Sequence, residues 1–279
     1  MKRILFLVIC VLVSGLTYAQ KAKVKGSRNV TTEQREIGNF ENLEVEDNLE
    51  IFLSKGDHCE IEIDADDNLH EAISITLDAG TLRISSTSDV TSSKKFSVKV
   101  TYTDDFKMIV AKDDTRITGL DDIQLDDFTI KASGSAKVYS NIKVKTFTLM
   151  GNDKSKTEIN LTSDNATIEL SKNSQLKALI SSPSLKFDMY QKSAATIEGD
   201  INEMKLRLDN NATFTGRNLT AANADIVVEG SSNGSLAVTG NAIIEASGKS
   251  EIDLHGDQKK IEIRKFTDSA SIRKRPLKA

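Results

Sequence analysis

The residues that could do chemistry in this 279-residue chain are its carboxylates, its many serines and three scattered histidines, His58, His70 and His255. None of the histidines lies in a recognisable nucleophile motif, so a Ser/His/Asp set would have to be assembled in space. Turn chemistry is the better explanation of the serines. Cleavage of a polysaccharide would need paired carboxylates, with or without calcium. The acidic candidates are Glu158, Glu169, Asp188, Glu198, Asp209, Glu229, Glu245, Asp253 and Glu262. They mostly alternate with apolar residues and with Lys or Thr, the pattern of a solvated strand face. Asp64-Ala65-Asp66-Asp67-Asn68 begins like a calcium loop, but it lacks the required glycine and has Ile75 where the bidentate Glu belongs. A polar turn is expected there. No Cys/His cluster has zinc spacing. The sequence names no catalytic, cofactor-binding or metal-ligating residue, and no cofactor is expected.

The elements that would carry these side chains are written as a repeat. A single apolar residue reopens an alternating run at Ile117, Val138, Ile159, Leu176, Ile197, Phe214, Leu236, Ile252 and Ile272, with a mean spacing of about 19 residues. Corners of Gly, Asn, Asp and Ser precede the anchors, as in Ala132–Val138 (ASGSAKV) and Ala246–Ile252 (ASGKSEI). These residues accept left-handed backbone angles or fold onto nearby backbone groups. Before each corner lies a period-2 run, such as Leu185/Phe187/Met189, Met204/Leu206/Leu208 or Ile261/Ile263. Such alternation buries one strand face and wets the other. The spacing predicts an all-β stack of coils with the anchors inward.

Residues 37–120 are also β by pattern but less evenly spaced, and are expected to cover the open end of a repeat solenoid over residues 121–279. Within them, Asp78-Ala79-Gly80-Thr81 reads as a tight hairpin, Asn68–Ile73 as a helical turn, and Thr87–Lys95 as a loop. Residues 20–36 are polar without apolar period and read as a flexible leader. Met1–Ala19 has basic Lys2 and Arg3, the apolar run Ile4–Val13 and a small residue before Gln20, the three-part pattern of a secretory signal peptide. Its apolar run is too short to span a bilayer. The whole chain has a formal charge of −4, and loss of the leader makes it more acidic, which argues against a general nucleic-acid footprint. Only Cys59 survives beyond the leader, so no intramolecular disulfide can form. Eight aspartates fall between Asp104 and Asp127, while the last stretch is basic.

The sequence resembles the exported bacterial proteins that carry the autotransporter-adhesin head GIN domain. The resemblance lies in the signal peptide ending Ala19-Gln20, in Asn39–Val45 (NFENLEV), and in Leu49–Leu53 (LEIFL) before Lys55-Gly56. It continues through Cys59–Asp64 (CEIEID), Asp67-Asn68-Leu69, Gly80–Ile84 (GTLRI) and the Ser-Gly corners of 132–136 and 246–250, covering roughly residues 37–265. Where the family places a first Ser-Gly-Ser corner, this chain has AKDDTRITG at Ala111–Gly119. The resemblance implies a right-handed parallel β-helix at the envelope of a Gram-negative bacterium and carries over no catalytic residues. The expected function is a non-enzymatic envelope scaffold, adhesin-like or structural, in the periplasm or on the outer surface. Its expected partner is a protein or carbohydrate of the envelope, with no nucleic acid and no integral membrane segment in the mature chain. The alternative is a β-helical polysaccharide lyase or hydrolase.

Overall fold

The computed structural model describes residues 21–276, so the signal-peptide reading of residues 1–19 lies outside the described residues. The chain opens with β1 (Lys23–Lys25), β2 (Val30–Glu36), β3 (Asn42–Val45), β4 (Glu50–Lys55) and β5 (Glu60–Asp66). A 3-10 turn at His70–Ala72 leads into β6 (Ile73–Asp78), β7 (Thr81–Ser86), β8 (Asp89–Thr91) and β9 (Phe96–Tyr102). There follow β10 (Met108–Ala111), β11 (Arg116–Gly119), β12 (Ile123–Ala132), β13 (Lys137–Gly151), β14 (Lys156–Leu170), β15 (Gln175–Tyr190), β16 (Ala194–Asp209) and β17 (Thr213–Val228). The last strands are β18 (Asn233–Val238), β19 (Asn241–Ala246), β20 (Glu251–His255), β21 (Lys260–Phe266) and β22 (Ser271–Arg275). From β10 onward every pairing is parallel, and the coils stack into a β-solenoid of about 9 turns. Each long strand alternates buried and exposed residues, then turns over an outer corner where two successive side chains face out, such as Asp164-Asn165 in β14.

The ladder registers define columns of side chains through the interior. One runs Ile51, Ile117, Val138, Thr157, Leu176, Ala195, Phe214, Gly234, Ile252, Ile272. Six of the nine expected anchors lie in it. Ile159, Ile197 and Leu236 stand two residues further on; they are buried, but in the neighbouring column. The column positions they were expected to fill hold Thr157, Ala195 and Gly234, which an apolar search passes over. Small side chains are tolerated because large neighbours fill the space: Phe214 meets Phe187 edge-to-face at 5.4 Å.

The corners repeat one backbone device. Asp113, Gly134, Asp153, Lys172, Gln191, Gly230, Gly248 and Asp268 have φ between 53° and 77°. Asp113 thus performs in AKDDTRITG the turn that Gly134 performs one coil later. A Cβ on Gly134 would sit 2.7 Å from the Asp113 backbone nitrogen, so glycine there is required by space as well as by angle. Behind these residues the inward positions are small, with Thr115, Ala136, Ser155, Ser174, Ser193, Ala212, Ser232 and Ser250 all buried.

Parallel coils also occupy residues 42–119, upstream of the expected start of the repeat at residue 121. Their order in space differs from their order in the chain. β3 and β4 pair with β10 and β11 on one side and with β7 and β9 on the other. The chain therefore lays down one coil, builds the next outside it, and crosses back through Thr103–Lys107. Phe106 pins that crossing, with ring centroids 4.8, 5.7 and 5.6 Å from Tyr102, Phe40 and Phe128. Beyond β9 the sheet continues antiparallel through β5 to β2. Residues 21–36, expected as part of a loose leader, instead carry two paired strands: β2 pairs with β5 along seven residues, and β1 pairs in parallel with β8, inside the expected 87–95 loop. These partners are more than 20 residues away, so local polarity gave no sign of them. The hairpin at Asp78–Thr81 joins β6 to β7, with φ of 46° at Ala79 and 73° at Gly80, as a type I′ turn needs.

Asp66 is fully buried and holds this end together. It accepts backbone N–H bonds from Arg28 at 2.8 Å and from Lys94 and Lys95 at 3.1 and 3.0 Å. Burial works to raise its carboxyl pKa, but these donors outweigh it and hold the group below the usual carboxylate range. At the far end Ile261 and Ile263, expected to face inward, are 42% and 53% exposed, and Phe266 beside them is 53% exposed, because no described coil stacks beyond β21.

Candidate binding trough

Outward side chains fall into rows because the coils from Val138 to Phe214 repeat at an even 19 residues. One outer row reads Tyr139, Glu158, Lys177, Thr196 and Thr215. The next reads Asn141, Asn160, Leu179, Glu198 and Asn218, and the third Lys143, Thr162, Ser181, Asp200 and Thr220. As far as Thr196, Glu198 and Asp200, these rows line a surface trough that also takes in Thr118 and Asp122 from the preceding coil and so crosses five coils. Its two halves, about 520 and 550 Å³, share Asn141, Asn160 and Leu179.

Within the middle row the Asn160 amide donates to the Asn141 side-chain oxygen at 2.8 Å, and Asn218 donates to Glu198 at 3.2 Å. Leu179 is 53% exposed between these polar pairs. At one rim the Arg116 guanidinium lies over the Tyr139 ring, 5.6 Å from its centroid. At the other end β17 carries an extra residue between Thr215 and Asn218, opposite Thr196 and Glu198 of β16. Beside it Gly199 has a φ of 115°, and a Cβ there would meet the Ile180 carbonyl oxygen at 2.1 Å. The trough stops at this bulge, which sets Arg217 in a separate hollow with Ser235, Asp253, His255 and Arg275.

The acidic residues singled out from the sequence scatter over the outer surface. Glu158 and Glu198 enter the trough, with Lys177 in the coil between them. Asp253 belongs to the hollow and bonds Arg273 at 2.7 Å and Arg275 at 3.3 Å; burial raises its pKa, and these cations outweigh it to hold the carboxyl low. Asp188 pairs with Lys186, Glu229 with Arg207, and Glu262 with Lys260 and Arg264. His58 and His70 lie 3.6 Å from Glu60 and 3.4 Å from Glu33, and His255 lies 3.3 Å from the Pro276 carbonyl oxygen. In the expected polar turn, Asp64 and Asp67 bond Thr32 and Asn29, and Asp66 makes the backbone lock described above.

The family model described as "Putative auto-transporter adhesin, head GIN domain" matches residues 39–178 and again 147–257. The chain belongs to this family. The two overlapping matches to this head GIN chain fit a molecule made of repeated coils. A "putative adhesin" from Parabacteroides distasonis shares the fold, with a TM-score of 0.65 at 15% identity over 91% of this chain and 100% of that one. A "putative adhesin" from Parabacteroides merdae gives 0.61 at 15% identity, over 91% and 99% of the chains. A "putative lipid binding protein" from P. distasonis gives 0.59 at 13% identity, over 91% and 99%. No curated protein matches the sequence. Among the described residues no helix is long and apolar enough to cross a membrane.

Sequence reasoning missed the trough of this head GIN chain. Asn141, Asn160, Leu179 and Glu198 are spaced by 19 each time, so a fixed period would have aligned them. Aligning on apolar anchors with a variable period concealed it.

Proposed function

We propose that this chain is an exported, adhesin-type binding scaffold of the Gram-negative cell envelope that works without turnover. The observation that carries the reading is the trough: two adjoining recesses across five coils that share Asn141, Asn160 and Leu179, outward side chains that the fold itself does not need. The stack beneath is rigid by construction, since each coil is bonded along its length to the next. A site on such a base presents fixed geometry to a partner. The signal-peptide pattern of Met1–Ala19 and the adhesin naming of the family support export. Fractionation of the source cells with external protease tests this. Recovery in the envelope fraction is expected, and recovery in the cytoplasm would overturn it.

A second reading, a glycan-cleaving enzyme, is favoured by one arrangement: Glu158, Lys177 and Glu198 in adjacent coils of the same trough. Glycoside hydrolysis asks for two carboxylates flanking the scissile bond. Release of new reducing ends from any polysaccharide would establish it.

A further inference from the structure

We infer that the trough holds a neutral, extended glycan lying along the solenoid axis and crossing the coils at Asn141, Asn160 and Leu179. This rests on the binding-scaffold reading and names the ligand class. Adjacent coils in a parallel sheet are about 4.8 Å apart, close to the length of one sugar in an extended β-linked pyranose chain. A row of outward positions at this spacing can therefore set one side chain against each successive sugar.

The chemistry of the row fits that ligand. The Asn160-to-Asn141 bond uses one N–H and one oxygen. An asparagine side chain has two N–H donors and a carbonyl with two lone pairs. The pair thus keeps the Asn141 amide group, one Asn160 N–H and the Asn160 oxygen for neighbouring hydroxyls, which both donate and accept. Leu179 follows in the same row and is more than half exposed, offering an apolar patch to the C–H face of a sugar ring. Tyr139, in the adjoining row and two coils away, adds a separate aromatic surface at the rim. Large exposed apolar side chains are otherwise few in the middle of the stack, where inward residues are buried.

Charge separates neutral from anionic ligands. Asp122, Glu158, Glu198 and Asp200 line the recess against Lys143 and Lys177, with Arg116 at one rim. The surplus of acid repels uronate or sulfate groups. A neutral chain brings no such penalty.

The test uses the full chain secreted without its leader, and titrates it with β-linked hexasaccharides of glucose, mannose and N-acetylglucosamine and with an oligogalacturonate of the same length. At least one neutral hexasaccharide should bind, and the oligogalacturonate should bind more weakly. Asn160→Ala and Leu179→Ala should each weaken binding by about tenfold, equivalent to ~1.4 kcal/mol. Thr167→Ala, an exposed change on another side of the same coil, should leave it unchanged. Circular dichroism and the thermal midpoint of each variant establish that it is folded. Failure of every neutral hexasaccharide to bind, tighter binding of the oligogalacturonate, or wild-type affinity in both trough variants would overturn the inference. Binding that survives both variants would leave the scaffold reading standing with its site elsewhere. New reducing ends in the titration would instead overturn the reading of a scaffold without turnover.

Discussion

Replacing Phe187 by alanine probes the stack at a buried aromatic pair. Phe187 is fully buried in β15, aligned between Ile168 and Leu206 in the adjacent coils, and edge-to-face with Phe214 at 5.4 Å. Removing a buried phenyl ring forfeits its transfer free energy and leaves a cavity, together about 3–5 kcal/mol. The lost aromatic pair accounts for ~0.5–1.5 kcal/mol of that. Domains are stable by about 5–15 kcal/mol, so Phe187→Ala should remove a large fraction of the total. Urea unfolding followed by circular dichroism reads the change as a shift in midpoint, with Thr167→Ala as the exposed control on the preceding coil. A double-mutant cycle with Phe214→Ala should return a coupling near the aromatic value. A loss below about 1 kcal/mol, or one equal to that of the control, would refute the inward assignment of this column.

Further outcomes follow from single contacts. Gly134→Ala should destabilise by about 1–3 kcal/mol, because the new methyl meets the Asp113 backbone at 2.7 Å and φ is 65°; an unchanged urea midpoint would contradict that. The lowered pKa of Asp66 means its ionised form belongs to the folded state. Its stabilisation is complete above the unfolded carboxyl pKa of about 3.9 and is lost as pH falls through the lower folded value. Asp66→Asn should therefore lower stability at neutral pH and flatten the acid limb of the stability profile, and an acid limb of wild-type steepness would contradict the role given to Asp66. Ile263→Ser with Phe266→Ser should cost less than about 1 kcal/mol while reducing binding of a hydrophobic dye, since both side chains are about half exposed. A large loss of stability there would show that they are covered in solution.

The fold was legible where the chain repeats itself and illegible where it departs from order. Period-2 runs such as Met204/Leu206/Leu208 announce inward faces directly, and all three are buried. Corners were legible by composition, except at Lys172 and Gln191, which adopt left-handed angles without being turn formers. There the stacked corners on either side impose the backbone, and the side chain is free to point into water. The pairing of β2 with β5 left no local trace, because an exposed strand held by distant partners needs no apolar period of its own. The out-of-order coil of β7 and β9 was equally silent, since nothing in a run of residues records which coil lies beside it. The trough depends on register across coils: Asn141 and Asn160 mean little separately and become a site only when placed one above the other.

Binding without turnover is the central claim, and one assay addresses it directly. Wild-type protein and Glu158→Gln are each incubated with the neutral hexasaccharides, and bound sugar and new reducing ends are measured in the same sample. Both proteins should retain sugar and neither should generate reducing ends. Reducing ends that appear with wild type and disappear with Glu158→Gln would contradict the account and make the trough an active site.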